Sequence, residues 1–147
     1  MPRRLPLLLA VALAACGGSS APATGAAPRL ADPDAELRVS AILEAAVTGD
    51  PKGPDADSLY SPASTVVANG ALRLSTPRFA GVQPGGSAAI TTSEVSVREG
   101  YAWAMVEYRW FSTEQNQVRV GRATVVLTPR RGGQGWWIVH AHSSTAR

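Results

Sequence analysis

The chain has 147 residues, one domain's worth, with 14 Lys and Arg against 11 Asp and Glu and a formal net charge of +3. No basic run exceeds Arg130-Arg131 and no basic-aromatic motif is present, which argues against a nucleic-acid partner. The single cysteine, Cys16, excludes a disulfide within the chain.

The first sixteen residues carry the strongest signal. Arg3 and Arg4 are followed by an apolar run over residues 5–15, interrupted only by Pro6, and then by Cys16-Gly17-Gly18-Ser19-Ser20. A basic start, a short apolar stretch and small residues before a break form a secretory leader, residues 1–15. The apolar run is too short for a span of roughly 20 residues. Leu13-Ala14-Ala15-Cys16 resembles the bacterial lipobox, which implies cleavage before Cys16 and lipidation (palmitate) of its thiol. The expected location is therefore the cell envelope, with the exported chain lipid-anchored to a membrane. Gly17 after the cysteine points to the periplasmic side of the outer membrane in a Gram-negative cell. Loss of Arg3 and Arg4 takes the net charge from +3 to about +1, so charge alone implies no polyanionic partner.

Residues 16–31 comprise the lipidated cysteine and a Gly, Ser, Ala, Pro and Thr stretch with little to bury, a flexible tether. A single domain is expected over residues 32–147. Asp32-Pro33 reads as a helix start, with Asp as N-cap and Pro at the first helical position. Val39, Ile42, Leu43 and Ala46 fall on one helical face, and Gly49-Asp50-Pro51 stops the helix. A short helical turn is expected at 55–60. Residues 64–74 are β-rich but contain Asn69-Gly70, which predicts a turn there. Residues 76–86, with two prolines and three glycines, predict a loop. Four strands follow at 88–97, 101–112, 118–128 and 135–144. Their short connections predict antiparallel neighbours, and helices followed by such a sheet make an α+β domain.

Pairing these strands predicts a polar row. With Phe111 opposite Val118, Arg109 faces Val120 and Glu107 faces Arg122. With Thr128 opposite Trp136, Val126 faces Ile138, Thr124 faces His140 and Arg122 faces His142. Opposed side chains share a face, so Glu107, Arg122 and His142 form one row beside Arg109, Thr124 and His140. The other face, including Ala102, Ala104, Val106, Tyr108, Trp110, Ala123, Val125, Leu127, Trp137, Val139 and Ala141, is almost wholly apolar.

The tail Gly121-Arg122-Ala123-Thr124-Val125-Val126-Leu127, then glycines, then Trp136-Trp137-Ile138-Val139-His140-Ala141-His142-Ser143-Ser144 resembles the SnoaL-like branch of the nuclear transport factor 2-like superfamily. The association domain of calcium/calmodulin-dependent kinase is similar over the same tail. The resemblance runs in order over roughly residues 32–145 and is specific in the last third. It implies a cystatin-like α+β roll: N-terminal helices on a curved, mostly antiparallel sheet that forms a cone with a pocket at its mouth. The family's recurrent positions match Trp136, Ile138, His140, His142 and Ser144, which puts the polar row inside the cone. The apolar face is then left for a homodimer or larger ring, with Tyr108, Trp110 and Trp137 suited to it. One departure is residues 75–86, poor helix sequence where the family usually has a further helix, which implies a more open pocket.

Ketosteroid-isomerase relatives use an aspartate base near the first strand, but 65–70 holds none and no aspartate follows Asp57. Glu107 is the one later carboxylate on the presumed pocket face of a central strand, so Glu107 and His142 are the candidates for acid–base work in an isomerase, dehydratase or hydrolase. The plainer reading pairs Glu107 with Arg122 in a structural ion pair. His140 and His142 share a face and with Glu107 suggest a metal triad. Arg122 between them disfavours a cation, so neither metal nor cofactor is expected. Ser143 and Ser144 lack a placed acid for a triad. The expected role is a binding module in which Glu107, Arg109, Arg122, Thr124, His140, His142 and Trp103 hold a small polar or acidic ligand or a peptide carboxylate, through guanidinium forks. A catalytic role and a purely structural role are the alternatives.

Overall fold

The computed structural model describes residues 33–132 and 135–146. The leader, Cys16, the tether and Asp32 lie outside the described residues.

One helix, α1 (Pro33–Gly49), opens the fold. Asp34 and Glu36 in its first turn suit the positive end of the helix dipole. Val39, Leu43, Ala46 and Val47 are fully buried along one stripe, with Ala35 beside them. Two tight 3-10 turns, Asp50–Lys52 and Pro54–Leu59, carry the chain into the sheet. Six strands follow: β1 (Tyr60–Ala68), β2 (Ala71–Leu72), β3 (Ser87–Arg98), β4 (Tyr101–Ser112), β5 (Gln117–Pro129) and β6 (Trp136–Thr145). Asn69 and Gly70 both adopt positive φ, 50° and 79°, and make the expected turn between β1 and β2.

The strands form one curved sheet in the order β2-β1-β6-β5-β4-β3. Every pairing is antiparallel except that of β1 with β6, which is parallel. The result is the expected α+β, cystatin-like roll, with α1 lying across the sheet and packed chiefly on β3.

The face that α1 covers is the apolar one. Ala102, Ala104, Val106, Tyr108 and Trp110 of β4 and Ala123, Val125 and Leu127 of β5 share a core with the buried stripe of the helix. The expectation that the polar row lines the cone is therefore overturned. Burial of apolar area dominates folding, and the apolar face finds its cover within the chain. It is not left for a second copy.

The register explains the rest of the correction. The β4–β5 ladder is as expected, with Glu107 opposite Arg122 and Phe111 opposite Val118. On β6, Thr128 lies opposite Trp137, Thr124 opposite His142 and Arg122 opposite Ser144. A bulge between Val126 and Leu127 leaves Val139 without an opposite residue, since Leu127 pairs with Ile138 and Val126 with His140. One extra residue reverses side-chain parity. Trp136 and Ile138 turn into the core before the bulge, while His142 and Ser144 point to the outer face after it.

Candidate functional site

Two groups of polar residues emerge, one on the outer face of the sheet and one beneath it. On the outer face, Arg122 Nη2 lies 2.8 Å from Glu107 Oε1, with both side chains well exposed. This cross-strand pair forms the edge of an open groove of about 450 Å³ that Thr124 and His142 also line. Of the residues expected from the sequence, the fold brings together Glu107, Arg122, Thr124 and His142. Thr92, Glu94, Met105 and Ser144 also line the groove. Thr92 and Glu94 come from β3, whose ladder with β4 puts Thr92 opposite Glu107 and Glu94 opposite Met105. Arg109, opposite Val120, and the Trp103–Val126–His140 row lie on the same face but do not line the groove.

Glu107 and His142 do not touch each other. Each lies opposite a different residue of β5, and the two strand spacings between them amount to roughly 10 Å, beyond hydrogen-bond reach. Among the described residues, no group of three His, Cys, Asp or Glu side chains is placed to hold a metal ion. The groove offers one ion pair, a histidine and hydroxyls on an open surface.

Beneath the sheet, a polar cluster ties the loop over residues 76–86 to the fold. Asp50, fully buried at the end of α1, accepts the backbone N–H of Arg78 at 2.7 and 2.9 Å on its two oxygens and that of Phe79 at 2.9 Å. Burial pushes its carboxyl up to about 6, against the opposing pull of the two amides and of the Arg78 charge. Arg78 donates through Nε to Asp57 at 3.0 Å, and its guanidinium stands 4.5 Å over the Tyr60 ring. The Tyr108 hydroxyl donates to the Ala80 carbonyl at 2.8 Å, the Ala80 N–H to Ser143 Oγ at 2.9 Å, and Trp110 Nε1 to the carbonyls of Gln83 and Gly85. Burial pushes both tyrosine hydroxyls upward, so they remain protonated. The Tyr60 hydroxyl is buried with no hydrogen-bond partner among the described residues.

The sequence alone missed this cluster. Gly49-Asp50-Pro51 read as a helix stop, and nothing local indicates that Asp50 caps amides 28 and 29 residues further on. The loop it anchors takes the place of the missing helix and lays Phe79 and Val82 into the core. The concave face is filled by Tyr60, Phe79, Tyr108 and Trp110, all buried.

Neither any known family profile nor any curated protein sequence matches the chain. Solved structures do. A ketosteroid-isomerase candidate from Parabacteroides distasonis superposes with a TM-score of 0.58 at 15% identity, over 81% of this chain and 92% of that one. An uncharacterized protein with a cystatin-like fold from Caulobacter vibrioides gives 0.54 at 16% identity, over 78% and 91%. The association domain of CaMKII from C. elegans gives 0.51 at 20% identity, over 74% and 92%. At these identities the likeness is one of fold: this chain has the cystatin-like, nuclear transport factor 2-like fold.

Proposed function

We propose that this protein is an exported lipoprotein, anchored through lipid on Cys16 at the periplasmic side of an outer membrane, whose domain is a non-catalytic association module that pairs with a second copy through the outer face of its sheet. The observation that carries this reading is the contrast between the two faces. The concave face is filled by the chain's own side chains, whereas the outer face is open and bears exposed Tyr101, Met105, Phe111, Val118 and Val120 around the Glu107–Arg122 pair. Exposed apolar side chains of this number, rimmed by charge, are the usual composition of an interface. A two-fold pairing of such a face is self-complementary and leaves the Glu107–Arg122 pair within each copy intact. The similarity to an association domain supports the same direction.

The expected small acidic ligand is the weaker reading of this surface, because Glu107 already occupies Arg122 and a ligand carboxylate would have to displace it. Sedimentation equilibrium on residues 32–147 tests the proposal. A dimer that Val118→Glu and Met105→Lys each convert to monomer, with the melting temperature held, supports it. A monomer at all concentrations refutes it. Cys16→Ser separates the anchor from the domain's role: the protein should leave the membrane fraction, and persistent sedimentation with membranes removes the lipobox reading.

A further inference from the structure

A second open groove lies where the loop over residues 76–86 meets the start of β5 and the end of β6. It measures about 860 Å³, within the range of small-molecule sites. Arg73 and Arg119 line it, and no carboxylate side chain of the described residues does. Arg78 and Arg122, by contrast, are paired with Asp57 and Glu107.

Arg119 is held in place by neutral partners only. Its guanidinium stands 5.5 Å over the Trp110 ring and donates to Gln117 Oε1 at 3.0 Å. With the Gln83 amide oxygen turned towards it, it also donates there at 3.1 and 3.2 Å. These contacts fix the fork while leaving its charge uncompensated. Asn69 Oδ1 is taken up by the N–H and hydroxyl of Thr145, so its amide nitrogen remains as a donor at the same rim. Val118 and Pro84 supply apolar wall. A rigid, unneutralised guanidinium with a second at hand and an apolar wall is the chemistry that recognises an oxyanion carried on a short hydrocarbon body.

We propose that this groove binds a small organic anion, with Arg119 and Arg73 on its oxyanion and Val118 against its apolar part. The groove borders the outer-face patch and shares Val118 and Val120 with it, but Arg119 and Arg73, which hold the oxyanion, are not part of that patch. Ligand-observed NMR titrations on the full-length protein in detergent micelles test it, with three probes: inorganic phosphate, butyrate and butyl phosphate, all too short to partition into micelles. Saturable binding of butyrate or butyl phosphate is expected, and the stronger of the two identifies the head group as carboxylate or phosphate. Arg73 is exposed, so Arg73→Gln should leave the fold intact and weaken binding at least about fivefold, the loss of one charge-assisted hydrogen bond. Arg73→Gln with Arg119→Gln should abolish it. Arg98→Gln, at the far end of β3 opposite Tyr101, should leave it unchanged. Absence of saturable binding for all three probes, or affinity undiminished in a folded Arg73→Gln protein, overturns the proposal.

Discussion

Replacing Asp50 by Asn should remove a pH dependence of stability that the buried carboxyl imposes. The folded pKa of about 6 stands above the unbonded value of 3.8. Between those values the folded state holds the extra proton. Stability from this group is therefore fully present below 3.8, falls as pH rises through the window, and is lost above about 6. A gap of this size, at about 1.4 kcal/mol per unit, amounts to about 3 kcal/mol. Asn is isosteric with the neutral acid and does not titrate, so it serves as the reference. Wild type and Asp50→Asn are to be unfolded in urea from about pH 4 to about pH 7, followed by the fluorescence of buried Trp110 and Trp136. The stability of wild type relative to the variant should decline by about 2 kcal/mol across that range, the remainder being lost below about pH 4. A flat difference, or one that grows with pH, refutes the reasoning. The three amide contacts at 2.7–2.9 Å would then outweigh burial and hold the carboxylate ionised.

Three further substitutions probe the core and the outer face. A Cβ at Gly121 would fall 2.3 Å from Cζ of Tyr108, whose hydroxyl is tethered to Ala80, so Gly121→Ala should cost about 1–3 kcal/mol and lower the melting temperature. Tyr60→Phe removes a buried hydroxyl that has no partner among the described residues; stability should hold or rise by about 1 kcal/mol in chemical denaturation. Glu107→Gln breaks only an exposed ion pair and should change monomer stability by less than about 1 kcal/mol, while weakening the proposed dimer in sedimentation equilibrium.

Much of the fold was legible because its patterns are local. Alternation over residues 101–112 and 118–128 gave both strands nearly to the residue, and the short connection between them gave the register that joins Glu107 to Arg122. The face assignment failed for a non-local reason. Alternation tells which residues share a face but not which face the helix takes, and the apolar stripe of α1 was the missing half of that decision. The β6 register failed twice: by one residue at the hairpin, where Thr128 pairs with Trp137 rather than Trp136, and by one more at the bulge, where Val139 is an ordinary β-branched residue with no Gly or Pro to announce an irregularity. The parallel placement of β1 beside β6 left no trace in sequence either, because the two strands are separated by the whole of the intervening sheet. Asp50 shows the same limit from the side of chemistry: its partners are backbone amides, which any sequence would supply.

That parallel pairing has a consequence for when the domain can form. β1 is made first among the strands, yet its long-range partner is β6, made last, and the short β2 on its other side gives it little to hold. Until Trp136–Thr145 has emerged, β1 has no sheet to join, and the Ala80 amide lacks the Ser143 hydroxyl that fixes its loop. The helix α1 and the β3–β4–β5 meander need no part of β6 to pack against one another, so the seam between β1 and β6 is the part of the sheet that can close only last.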